Sequence, residues 1–163
     1  MNEETQFGQG RITPQWLAGF FDGEGSITAW VDRRDGRNQV FMRVTVELSQ
    51  KNKLLIMAIN SIYPEANMQV SISRLHGKKF TAWKLVWHGK KAIRFLSDVI
   101  PFLVCKRDRA ELALQFCGLI TKRKRNNFVP ADVLAKRNAL ATEILRINGT
   151  FKSYEIDTVG GSN

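Results

Sequence analysis

The segment Leu17-Ala18-Gly19-Phe20-Phe21-Asp22-Gly23-Glu24-Gly25-Ser26 constrains this chain more than any other stretch. It starts as a helix with small residues on one face and ends in an acidic residue held between two glycines. A stripe of small residues lets a second backbone approach closely. A carboxylate at the foot of the stripe is then brought near the partner's equivalent carboxylate. Two like charges at a helix end are costly unless something neutralises them, and a divalent cation is the obvious candidate.

Charge narrows the chemistry. The chain has 25 Lys and Arg against 15 Asp and Glu, a formal net charge of +10. A surplus of that size favours polyanions through counterion release. Joined to the acidic helix foot, it points to metal-assisted cutting of a phosphodiester backbone. The 163 residues fit one domain with a real core. We read residues 1–12 as a polar extension, 13–150 as the domain and 151–163 as a loose tail. No apolar run is long enough to span a bilayer. Met1 to Gly10 is polar and acidic, unlike a signal or transit peptide. The expectation is a protein without a membrane partner, in the cytoplasm of a prokaryotic cell or in an organelle. Cys105 and Cys117 are too far apart for a zinc site and are expected as reduced, packed thiols in helical sequence.

The hydrophobic period changes in a regular order. Thr13-Pro14 opens a first helix with a capping hydroxyl and a proline at the first helical position. It is expected to run to about Asp22, with Gly23 and Gly25 ending it. Ser26 to Arg34 reads as a strand and Asp35-Gly36 as a hairpin turn. On the return strand Met42, Val44, Val46 and Leu48 alternate with Arg43, Thr45, Glu47 and Ser49. A helix from about Asn52 to Tyr63 follows, stopped by Pro64. In the second hairpin Val70 and Ile72 alternate with Ser71 and Ser73, His76-Gly77-Lys78 makes the turn, and Trp83, Leu85 and Trp87 alternate with Lys84, Val86 and His88. Helices are expected over about 90–99, 106–122 and from Pro130 to near Gly149. The fold class is therefore α+β: helix, hairpin, helix, hairpin, then helices, with one four-stranded antiparallel sheet and the helices on a single face. The opposite face is polar, mixed in sign and wide. A plain solvated face would look similar.

At this point the chain resembles the LAGLIDADG homing endonucleases. The likeness rests on Leu17 to Gly25, on the placement of that motif at the end of the first helix, and on the repeated helix–hairpin layout over roughly residues 13 to 147. The motif occurs once, as in the small intron-encoded members that act as homodimers. Pro101-Phe102-Leu103 before a basic cluster and a long helix fits the same type. The resemblance implies a saddle-shaped sheet, double-stranded DNA as partner, and Mg2+ or Mn2+ as cofactor. It places Glu24 and the backbone carbonyl of Gly23 as metal ligands. It assigns Gln50 to ordering the hydrolytic water and Lys106 to the charge on the scissile phosphate. A further basic residue is expected after Gln50; Leu54 falls at the most direct register and Lys53 lies beside it. Leu17, Ala18, Gly19, Phe21 and Asp22 would form the dimer interface. Thr28, Trp30, Arg34, Arg43, Thr45, Glu47, Ser71, Ser73 and Lys84 would contact DNA from the open strand face. Each strand would be cut once, leaving a staggered break in a long pseudo-palindromic target.

Blander readings stand beside these. Ala18 and Gly19 also suit helix packing within a monomer, and Glu24 a simple cap. The run Lys122-Arg123-Lys124-Arg125 suits a solvated surface as well as phosphate contacts. Trp16, Trp83 and Trp87 are expected in the core, and His76 and His88 lack metal-ligand spacing. Two other functions fit the same family pattern: an RNA-binding intron maturase, and a DNA-binding regulator with a dead site. The intact Gly23-Glu24-Gly25 foot favours cleavage over both.

Overall fold

A computed structural model of the chain describes residues 12–32, 41–75, 78–120 and 129–149. Helix α1 spans Pro14–Glu24. The Thr13 hydroxyl accepts from the Trp16 amide at 3.2 Å and Pro14 takes the first helical position, so the start follows the expectation. The end does not. The helix runs through Gly23 to Glu24, and strand β1 (Gly25–Asp32) begins at the next residue. Gly25 has an ordinary φ of −84°. Its need for glycine is a matter of room, because a Cβ there would overlap the buried ring of Phe21.

The remaining strands and α-helices are β2 (Phe41–Gln50), α2 (Lys53–Ile62), β3 (Asn67–Leu75), β4 (Lys78–His88), α3 (Ala92–Val99), α4 (Arg107–Gly118) and α5 (Ala131–Ile147), with 3-10 turns at Gly89–Lys91 and Ile100–Phe102. Helix α4 stops at Gly118, short of the expected Lys122. The Leu119 amide turns back onto the Gln115 and Phe116 carbonyls in closing the last turn. The Asp35-Gly36 turn, His76-Gly77, the 122–125 run, the N-terminal extension and the tail lie outside the described residues.

The strands form one antiparallel sheet in the order β1-β2-β4-β3. Residues opposite one another share a face. Ile27 pairs with Val46 and Val46 with Trp87, while Leu48 pairs with Leu85. All five are buried, and they form the sheet's side of the core. Helices supply the other side through Leu17, Phe21, Ile56, Ile59, Phe95, Leu96, Phe116 and Ile144. Phe95 is central: it stacks on Trp87 at 4.3 Å and meets Phe21 and Tyr63 edge-on. The helices thus lie on one face of the sheet and leave the other open.

Strand β3 is one of the two edge strands, with β1 at the other side. Val70 and Ile72 point to the helix side yet stay exposed, because that edge reaches past the helical layer. Trp16 corrects its assignment to the core: it is 41% exposed and stacks on Phe20 at 5.0 Å along the outside of α1. Trp83 is half-buried. The two cysteines separate as well. Cys117 is buried, which pushes its thiol up to about 12, whereas Cys105 is exposed in the segment before α4. Among the described residues no helix is long and apolar enough to cross a membrane.

Candidate functional site

Helix α1 presents two unlike faces. Leu17, Ala18 and Phe21 are enclosed by the protomer's own core, so they have no surface to offer a partner, contrary to their assignment to a dimer interface. Gly19 and Gly23 are one turn apart and exposed, and a Cβ built on either meets nothing within 4 Å. Trp16 and Phe20 flank them. The open side of α1 is therefore a glycine pair edged by stacked aromatics.

Asp22, half-buried, is bound within its own protomer. Its carboxylate accepts from the backbone amides of Val104 at 2.8 Å, Cys105 at 3.2 Å and Lys106 at 2.9 Å. The Lys106 ammonium donates to the Asp22 backbone carbonyl. The segment before α4 is thus tied to the last turn of α1.

Glu24 is the final residue of α1. It is exposed, and its side chain has no hydrogen bond or ion pair to another described residue. The register places its surroundings. Gly25 opens β1 opposite Leu48, so Glu24 lies at the end of the sheet where β2 finishes with Gln50. The Gln50 side-chain oxygen accepts from the Lys51 amide at 2.7 Å. Lys53, the first residue of α2, holds its ammonium 4.7 Å from the ring centre of Trp83, the residue paired with Gln50. Glu24, Gln50, Lys53 and Lys106 therefore gather at one end of the sheet. Leu54 is exposed and apolar, so of the two neighbours only Lys53 brings a charge there.

The open face of the sheet carries the residues expected to touch DNA. Thr28 pairs with Thr45, Trp30 with Arg43 and Ser49 with Lys84, while Ser71 pairs with Ala82. By alternation Glu47 and Ser73 join them. Ser26, Asn67, Gln69 and His88 lie on that face too: Ser26 and His88 follow from parity within the expected strands, while Asn67 and Gln69 precede the expected start of the third strand. Arg34 lies outside the described residues, and the structure describes the backbone but not the side chains of Arg43 and Ser73.

Much of this face is already engaged with itself. The Trp30 indole N–H donates to the Thr45 hydroxyl at 3.3 Å, and Thr45 is only 9% exposed. Thr45 is thus covered rather than held out as a reader. Lys84 and Glu47 form an ion pair at 2.6 Å, both half-buried, and Ser49 donates to the same Glu47 oxygen at 3.2 Å. An ammonium and a carboxylate locked together cancel one another's charge at mid-sheet. The Ser71 hydroxyl lies 3.5 Å from the Ala82 carbonyl, a long contact.

Known structures agree with the architecture. The homing endonuclease I-CvuI, solved with its target and calcium, superposes with a TM-score of 0.64 at 23% identity, covering 85% of this chain and 83% of its own. The archaeal intron-encoded homing endonuclease I-Vdi141I, solved with DNA, gives a TM-score of 0.61 at 20% identity and covers 86% of both chains. The LAGLIDADG homing endonuclease I-GzeII, solved with its DNA target, gives 0.59 at 19% identity over 80% of this chain and 44% of its own. No protein-family model and no curated protein sequence matches the chain. The fold is that of the LAGLIDADG homing endonucleases. Its motif ends at Glu24, at the foot of α1, and occurs once in the sequence.

Proposed function

We propose that this protein is a site-specific DNA endonuclease acting as a homodimer with magnesium or manganese. The observation that carries the reading is the position of Glu24. It is an exposed, unpaired carboxylate among the described residues, at the foot of a helix whose open side is glycine, two residues after the Asp22 carbonyl that Lys106 binds. The charge of +10 and the DNA-bound neighbours of the same fold support a DNA partner. An open strand face suits duplex DNA better than duplex RNA, whose major groove is too deep and narrow to read.

The donor set fits a hard dication. Glu24 would hold it through a carboxylate and Gly23 through its carbonyl, both oxygen donors. Asp22 does not join, because its oxygens take up three backbone N–H groups. Among the described residues no three His, Cys, Asp or Glu come together as a ligand cluster. The described residues of one protomer thus offer fewer oxygens than magnesium's octahedral shell takes. The partner subunit's Glu24, a phosphate oxygen and water would complete it. When bound, the ion supplies Lewis-acid activation of water and of the leaving oxygen.

The chain's own residues do the rest. Lys106 exchanges the Asp22 carbonyl for the charge developing on the scissile phosphate. The Gln50 amide orients the attacking water, and Lys53 brings a second cation. Gly19 and Gly23 meet their symmetry mates, which sets the two Glu24 side chains together at the dimer axis. Two-fold symmetry then gives one cut per strand, a staggered break and a nearly palindromic target.

The test is cleavage of a plasmid library with and without magnesium, using wild type and Glu24→Gln. Wild type is expected to cut only with the metal. Glu24→Gln loses several kcal/mol of transition-state stabilisation, on the order of a thousandfold in rate, and still binds DNA. Binding with no cutting in any divalent metal would establish a regulator instead, and preference for structured intron RNA a maturase. Sedimentation at micromolar protein is expected to give about twice the chain mass of 18.6 kDa.

A further inference from the structure

Lys106 cannot cap the helix it precedes. Helix α4 starts at Arg107 with Lys106 at its N-cap, and no side chain of its own segment caps it. A lysine has no acceptor, so its side chain satisfies none of the amides at this end. An acceptor for one of them, the Lys106 amide, comes from α1. The Asp22 carboxylate takes the amides of Val104 and Cys105 on one oxygen and that of Lys106 on the other. A carboxylate also suits the positive end of a helix dipole. The backbone from 104 to 106 is thereby fixed against the last turn of α1, although 82 or more positions separate the partners in the chain. Lys106 then extends back to the Asp22 carbonyl, one peptide before the Gly23 carbonyl and two residues from Glu24.

We infer that Asp22 is the positioning residue for Lys106. It sets where the ammonium stands relative to Glu24 and touches neither DNA nor metal itself. The inference rests on the endonuclease reading above, in which Lys106 meets the scissile phosphate. Val104 and Cys105 are exposed, so buried side-chain packing at these two positions does not hold the loop in Asp22's absence. Misplacing a charged group by about 1 Å is enough to cost roughly a hundredfold in rate.

The experiment is a double-mutant cycle on DNA cleavage with Asp22→Asn, Lys106→Met and the pair, with DNA affinity measured beside it. Asp22→Asn is expected to lower the single-turnover cleavage rate roughly a hundredfold while Kd stays within about threefold. In the Lys106→Met background it is expected to cost almost nothing more. Hydrogen exchange at the amides of 104–106 is expected to be slow in wild type and fast in Asp22→Asn. If Asp22→Asn does not fold, Asp22→Ser, which keeps one acceptor, takes its place in the cycle. Equal losses from Asp22→Asn with and without Lys106, or no loss at all, overturn the positioning role alone. Fast exchange at 104–106 in wild type does the same. Wild type that never cuts DNA refutes the endonuclease reading and removes the positioning role with it.

Discussion

The foot of α1 and the open face of the sheet are built on opposite plans. At the foot, the backbone is pinned and the Glu24 carboxylate is left unpaired among the described residues. Asp22 grips the loop before α4, Phe21 fills the space under Gly25, and Glu24 projects beyond both. On the sheet the backbone is regular, and side chains pair with one another: Trp30 with Thr45, and Lys84 with Glu47 and Ser49. A reaction centre needs fixed geometry before substrate arrives, whereas a reading surface trades internal contacts for contacts with bases. The contrast teaches that exposure alone does not separate the two kinds of site. What separates them is whether the tertiary structure fixes the main chain or the side chains.

Three changes probe that contrast beyond Glu24→Gln and Asp22→Asn. The largest effect is expected from Gly25→Ala. The added methyl meets a fully buried aromatic ring, and overpacking of this kind costs about 1–3 kcal/mol. Urea denaturation reads the loss, and an unchanged midpoint would show that the foot is not rigid. Next is Glu47→Gln, which frees the Lys84 ammonium. DNA binding is expected to tighten and the slope of log K against log salt to steepen by about one unit. Fluorescence anisotropy across a salt series measures it; weaker binding would make Glu47 a reader in its own right. The smallest is Trp30→Phe, which removes one indole hydrogen bond and exposes Thr45. A stability loss of about 1 kcal/mol is expected, with altered preference at one base position of the target.

Strand parity made the sheet legible. Val44, Val46 and Leu48 alternate with Thr45, Glu47 and Ser49, and period two settles which set faces the helices. The start of α1 was equally plain from Thr13-Pro14. The helix ends were less so, because glycine marks a stop only where the chain turns: Gly23 remains helical, and Gly25 answers to Phe21 rather than to backbone conformation. Legibility failed where a residue's role depends on a distant segment. Nothing near Asp22 in sequence announces the amides of 104–106. Thr45 looks like a reader until Trp30 is folded over it. Leu17, Ala18 and Phe21 belong to the motif, and periodicity alone does not say which side of an isolated helix the rest of the chain will cover.

Between Glu24 and Gly25 there is no spacer. The helix ends at one residue and the strand starts at the next, under a ring that leaves no slack. A joint without linker residues absorbs no change of direction. In the endonuclease reading proposed above, a tilt of β1 against a double helix would pass directly to the Glu24 carboxylate beside it. On that reading a poorly matched sequence that sets the strand at the wrong angle would set the metal-binding carboxylate at the wrong angle too, and discrimination would reach the chemistry through the stiffness of the joint.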